Sequence, residues 1–228
     1  MDAMKAIRRE AGTLLILLLA LLAGALNTAG FLQYGQTLSH MTGNLTKLGL
    51  ALTGRTREPA VWFLLFLLCF MLGAMLSGLA FPNPVRSQWR RCGLVLLTGG
   101  ALMLLPEMLN LSSLVCILSL ALALGAQNGL ILRCSGALMR TTHVTGHLTD
   151  VGAALGRLVV SKGLNREDWR DFLIHLLCLV FFLLGALLAA LYAGQSLVSF
   201  SPVALCGLCY ALSGLFTLGV FQLRGSRV

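Results

Sequence analysis

The sequence predicts an all-α, polytopic membrane helical bundle, with about six transmembrane helices from two inverted three-span repeats, each carrying a short polar motif helix. Three observations lead there. Of 228 residues, 57% are hydrophobic and 11% charged, against about a quarter charged in a soluble domain, so water is not the main solvent. Continuous apolar runs reach the roughly 20 residues that a helix needs to cross ~30 Å of hydrocarbon. One polar motif occurs twice, as SHMTGNLTKLGLAL at Ser39 to Leu52 and as THVTGHLTDVGAAL at Thr142 to Leu155.

The first run, Thr13 to Leu32, follows Lys5, Arg8 and Arg9 and has small residues near Ala23 to Ala25. Alone it resembles a cleaved signal peptide, but its part in the repeat assigns it to the fold. The first motif comes next, then the run Ala60 to Phe81. Trp89 to Leu109 is less pure, because Pro106 and Glu107 fall near its end. The second unit has runs at Leu111 to Leu132, Phe172 to Tyr192 and Pro202 to Gln222, with the second motif after the first of them.

With six spans and a cytoplasmic amino terminus, all of the seventeen Lys and Arg except Lys47, Arg55 and Arg57 fall inside, as the positive-inside tendency requires. Eight spans would move Arg86, Arg90, Arg91, Arg133 and Arg140 outside. Six spans with both termini cytoplasmic is therefore the expected topology. The net charge of +9 suits loops on anionic lipid heads, and no basic stretch is interleaved with stacking aromatics, so nucleic acid is not an expected partner. The seven cysteines lie mostly inside or at the ends of apolar runs, in neither a secreted disulfide pattern nor a paired metal-knuckle pattern, and the Cys206 and Cys209 pair reads as small packing residues.

The two motifs align without a gap: His40 on His143, Thr42-Gly43 on Thr145-Gly146, Thr46 on Thr149. GALN at Gly24 to Asn27 lies on GAQN at Gly125 to Asn128, and LGA at Leu72 to Ala74 on LGA at Leu184 to Ala186. The chain is thus a single domain over 1–228, with repeat 1 at about 12–110 and repeat 2 at about 111–223. Three spans per unit is odd, so the second unit enters the membrane upside down. Irregular polar backbone at membrane depth is tolerated where protein buries it or water fills a cavity, and the meeting of two such segments is the usual solute site of transporters. Gly125 and Gly129 form a GxxxG, and Gly73 with Ser77 and Gly185 with Ala189 share its spacing, which reads as close helix contact.

The expected pathway residues are Asn27, His40, Thr42, Asn44, Lys47, Asn128, Arg140, Thr142, His143, Thr145, His147, Thr149 and Asp150. Lys47 and Asp150 occupy matching positions and either pair across the axis or reach separately to water. In a helix, His143, His147 and Asp150 share one face and have the chemistry of metal ligands. The first motif has His40, Asn44 and Lys47 instead, and a polar face lining water explains the residues more cheaply. His143 beside Asp150 has the chemistry of a proton relay. Alternatively, Thr141 and Thr142 cap a short helix. Asn27 and Asn128 read as interhelical hydrogen bonders or points where a helix opens, and His175 as a satisfied packing or interface residue. No nucleophile elbow, P-loop, GxGxxG or HExxH occurs, so no enzyme, metal or cofactor is expected.

GAQNG, RTTHVTGHLTDVG and HMTGN resemble the YoaK family of bacterial integral membrane proteins, a domain of unknown function. The likeness spans almost the whole chain and implies a six-helix protein of the bacterial cytoplasmic membrane. It marks His40, Thr42, Gly43, Asn44, Arg140, Thr141, Thr142, His143, Thr145, Gly146, Thr149 and Asp150 as its signature, and His147 is less typical of it. The expected function is a small-solute transporter or channel whose partners are the lipid bilayer, a small solute or ion including protons, and further copies in a homo-oligomer. Its alternative is a membrane scaffold or sensor whose motifs only hold the bundle together.

Overall fold

Backbone amides and carbonyls have no partner in hydrocarbon, so an apolar run satisfies them within itself as a helix. The computed structural model, which describes residues 2–81, 89–134, 141–195 and 200–225, has eight α-helices and no strand among them. They are α1 (Asp2–Tyr34), α2 (Met41–Leu52), α3 (Ala60–Ala80), α4 (Trp89–Met108), α5 (Ser113–Cys134), α6 (Val144–Val160), α7 (Arg166–Ala193) and α8 (Pro202–Gly225). Six of them, all but α2 and α6, are long and apolar enough to cross a membrane. The two motifs form the remaining pair, of 12 and 17 residues, or about 18 and 26 Å of helix.

The difference in length between α2 and α6 has a local cause. Gly54, at φ +70°, ends α2 in a left-handed turn whose following amide, Arg55 N, donates to Leu50 O at 2.9 Å, the hydrogen-bonding of a glycine stop. The matching residue in the second half is Arg157, which continues the helix. Its Nε donates to Asp168 Oδ1 of α7 at 2.6 Å, and Asp171 Oδ2 lies 3.5 Å from its Nη2. The α7 that supplies those carboxylates starts at Asn165, whose side chain accepts from Glu167 N at 3.0 Å. Asn165 is a strong N-cap residue, and the two acids in its first turn suit the helix dipole.

Helices α1 and α7 pack together, as do α3 and α5, and α4 and α8; α2 lies on α3, and α6 on α7. Under exchange of α1–α4 with α5–α8 this pattern maps onto itself. Lipid tails offer no hydrophobic gain for helix association, so close approach at small residues supplies it. A Cβ on Gly24 of α1 would collide with Phe182 O of α7, and one on Gly125 of α5 with Phe70 O of α3. Gly185 and Gly73 meet Leu21 O and Leu122 O in the same matched way. Across α4 and α8, Gly93 faces Gly214 while Gly100 faces Gly207, so these two equivalent helices run antiparallel. By contrast, Gly125 and Gly129 of α5 face Phe70 and Ala74 of α3 in ascending order, and that pair is parallel.

The core between these layers is apolar: Leu19, Leu26, Leu96, Met103, Leu120, Leu124 and Tyr210 are buried in one cluster. Cys206 belongs to it and Cys209 packs against it, both as free thiols. Cys92, also in the core, is disulfide-bonded, although the cysteine spacing shows no disulfide pattern. Glu107, the residue that interrupts the fourth apolar run, accepts hydrogen bonds from Gln33 and Tyr34 at the end of α1 and from Ser201 ahead of α8. One carboxylate therefore ties three helix ends together.

Gly125→Ala is expected to lower stability by about 1–3 kcal/mol, the usual cost of forcing extra atoms into a packed contact. Gly49→Ala, where a Cβ meets nothing within 4 Å, is expected to be neutral or stabilising by up to about 1 kcal/mol in the interior of α2. Thermal unfolding of the two variants in detergent checks the contrast.

Candidate functional site

Between α1 and α2, and again between α5 and α6, the helical hydrogen-bond ladder breaks and the chain turns back. Asparagines hold both breaks. Asn27 Oδ1 accepts from Ser39 N and Ser39 Oγ, each at 3.0 Å. At the equivalent place Asn128 Oδ1 accepts from Thr142 Oγ1 at 3.0 Å, while its Nδ2 donates to Leu124 O at 3.1 Å. Thr142 is thus engaged with α5 and does not cap α6. The N-caps are His40 and His143, and neither makes a side-chain capping bond.

Each of these imidazoles folds over the glycine three residues on. A Cβ on Gly43 would collide with the His40 ring, and one on Gly146 with that of His143. The repeated His-x-Thr-Gly spacing therefore seats a histidine at the start of a short helix. Farther along, Thr46 Oγ1 donates back to Thr42 O at 3.0 Å and Thr149 Oγ1 to Thr145 O at 2.9 Å, which engages both hydroxyls with their own helices.

The two breaks face one cavity of about 730 Å³, within the size range of small-molecule sites. Its lining comes in matched pairs: Asn27 with Asn128, Ser39 with Thr142, His40 with His143, Met41 with Val144, Thr42 with Thr145, and Phe70 with Phe182. Thr37, Ala74, Gly78 and Gly129 complete it. No carboxylate, lysine or arginine lines it among the described residues. The cavity therefore offers hydroxyls, amides, two imidazoles and the first turns of two helices, with two aromatic rings.

Of the expected pathway residues, Asn27, His40, Thr42, Asn128, Thr142, His143 and Thr145 line this cavity. Asn44, Lys47, His147, Thr149 and Asp150 do not line it, and Arg140 lies outside the described residues. Lys47 and Asp150 do not pair. Lys47 Nζ donates to Gln36 Oε1 at 2.8 Å and sits 6.0 Å from the Phe63 ring centroid. Asp150 Oδ2 is instead 3.5 Å from His175 Nδ1. Each charge found a partner in its own half, which spares both the cost of meeting in the apolar centre.

His143, His147 and Asp150 do not act as one face either, since His143 lies at the cavity and His147 is buried against His175, Nδ1 to Nδ1 at 2.8 Å. His175 is thus a partnered residue of the α6–α7 interface. Phe70, Phe182 and Ser39 were not among the expected residues. The upstream and downstream halves of the repeat pointed to them, because Ser39 aligns with Thr142, and Phe70 precedes Gly73 as Phe182 precedes Gly185.

The second half has one polar addition behind the cavity. Gln127 Nε2 donates to Leu19 O at 3.1 Å and to Thr141 Oγ1 at 2.8 Å, both side chains being buried. The first half places Leu26 and Leu38 at the equivalent positions, also buried.

Six apolar helices long enough to span, arranged about a polar cavity at two chain breaks, define a multi-pass helical membrane protein. The chain belongs to the family described as "Protein of unknown function (DUF1275)", whose model matches residues 15–216. No curated protein and no solved structure matches it.

Thr141→Leu and Gln127→Leu are each expected to cost about 1–3 kcal/mol, since each strands a buried polar partner. The double variant, which installs the first half's pair, is expected to cost less than the sum of the two by more than about 0.5 kcal/mol. A double-mutant cycle on thermal unfolding measures that coupling.

Proposed function

We propose that this protein is a small-solute transporter or channel of the bacterial cytoplasmic membrane, with both termini cytoplasmic and the cavity between the two motifs as the solute site. The observation that carries the reading is the cavity's paired polar lining in an otherwise apolar bundle. Scaffolding alone would favour satisfied, dry contacts, because polar groups kept open at membrane depth are costly. The antiparallel run of α4 and α8 supports two units inserted with opposite orientation, so that one motif approaches from each side of the membrane. The resemblance to the YoaK family agrees with the cytoplasmic membrane.

The chemistry of the lining narrows the solute. Hydroxyls and amides can each donate or accept, and the amide ends of α2 and α6 favour acceptor atoms. Phe70 and Phe182 add apolar faces. A small polar solute with hydrogen-bond acceptors and an apolar part fits this set. Lys47 and Asp150, held in their own halves, contribute no charge to the wall. The reading assigns no catalysis, cofactor or metal to the protein, and leaves homo-oligomers compatible with its lipid-facing surface.

A screen of small metabolites by thermal shift is expected to yield a ligand that raises the melting temperature of the parent by several degrees. Ala74→Trp, which fills the cavity from α3, is expected to abolish that shift. A ligand that stabilises both proteins equally binds elsewhere and removes the cavity from the proposal. For the orientation, cysteines at Arg57 and Arg166 are expected to react with an impermeant thiol reagent from the periplasmic and the cytoplasmic face respectively. Reaction of both from one face would overturn the topology.

A further inference from the structure

The second half holds a group of titratable side chains that the first half lacks. His147 of α6 and His175 of α7 place their Nδ1 atoms 2.8 Å apart, with ring centroids 5.1 Å apart and planes inclined by 50°. At that separation one nitrogen donates and the other accepts. Two fully protonated rings would set N–H against N–H, so the pair in this geometry takes up one proton and not two. Asp150 Oδ2 lies 3.5 Å from His175 Nδ1.

Other titratable and charged groups stand on the segments around the pair. Farther along α6, Arg157 is engaged by Asp168 and Asp171 of α7. His143 lies one turn before His147 on α6. On the other side of α7, α1 carries no charged residue between Gly12 and Tyr34. Exposure falls inward along the series: the side chain of Asp150 is 53% exposed and that of His175 16%, while His147 is 4% exposed. One turn beyond, His143 lines the cavity. At the equivalent positions the first half has Lys47, Phe63 and Asn44, which cannot exchange a proton in that order.

We propose that His147 and His175, with Asp150, form a proton-binding site that couples the conduit to protons, built into one half of the molecule only. The ring that donates its Nδ1–H in the neutral pair takes the added proton at its free Nε2, and as an imidazolium it keeps its Nδ1–H bond to the other ring. Uptake puts one positive charge between α6 and α7, a turn from the cavity wall, and release removes it. The position of α6 and of the His143 end of the cavity then follows the proton. The coupling rests on the conduit reading, whereas proton binding by the pair does not.

Two measurements separate these. In protein labelled with ¹⁵N-histidine and held in lipid nanodiscs, imidazole nitrogen shifts are followed from pH 8 to 5. His147 and His175 are expected to take up a single shared proton, with coupling between their Nδ1 nuclei. Independent titration of the two rings, or no uptake by the pair over that range, would overturn the site. Second, the reaction of Thr145→Cys with a soluble thiol reagent is followed over the same range, against the parent as blank. It is normalised to the same cysteine in the His147→Asn/His175→Phe background, which cancels the thiolate's own pH dependence. That background uses the first half's residue types, and its melting temperature is checked against the parent's. The normalised rate is expected to change at least about fivefold, with the midpoint found for the pair. A flat normalised rate would overturn the coupling even if the shared proton is seen. A cysteine unreactive at every pH would remove the coupling and the conduit reading together, with the proton site still judged by its own titration.

Discussion

Two asparagine side chains carry the constraint on which this structure depends. In lipid an interrupted helix leaves amides and carbonyls that no solvent can satisfy; Asn27 meets part of that demand before α2, and Asn128 holds the chain before α6 through a side chain. Asn27 binds both the backbone and the hydroxyl of Ser39, and Asn128 binds the hydroxyl of Thr142 while anchoring itself to α5. Because these bonds hold the chain at its breaks, α2 and α6 start beside the cavity and the His40 and His143 rings line it. The small residues at the α1–α7 and α3–α5 crossings set the distance between the walls.

The duplication separates what the fold requires from what each half has added. Residues that shape the cavity recur in both halves. The departures lie behind the wall: Gln127 and Thr141 in place of Leu26 and Leu38, His147 and His175 in place of Asn44 and Phe63, and Arg157 in place of Gly54. All of them make the second half more polar. Asn44 is itself buried and its Nδ2 has no partner among the described residues, whereas its counterpart His147 meets His175 across α6 and α7. An amide and a phenyl ring thus stand at the positions where the second half has two imidazoles.

Much of this was legible in the amino-acid sequence, for a physical reason. Length and apolarity decide whether a helix can span, and all six expected spans appear as helices of that kind. The repeat also related the motifs to Gly24, Gly125, Gly73 and Gly185, which do meet neighbouring backbones. Partner choice was less legible. Lys47 and Asp150 looked like a pair because alignment places them at equivalent points, but equivalence under a twofold axis does not imply proximity to it. Gln36 and His175 were nearer, and nothing local in the sequence says so. The threonines before α6 looked like caps by composition, yet the nearer acceptor and donor were side chains of α5. The tie between Glu107 and three helix ends was equally hidden, since its donors lie 73, 74 and 94 residues away.

The exchange of partners between the halves bears on how such a chain is made. The first helix of each unit rests chiefly on the third helix of the other, so neither unit completes its own core. During synthesis α1 leaves the ribosome long before α7, against which Gly24 must pack, and until then its close-approach surface has only lipid or the insertion machinery for company. Contacts so distant along the chain assemble late and slowly. Co-translational maturation therefore cannot end before the seventh helix is threaded into place, and a product truncated before that point would leave its first helix an orphan for membrane quality control.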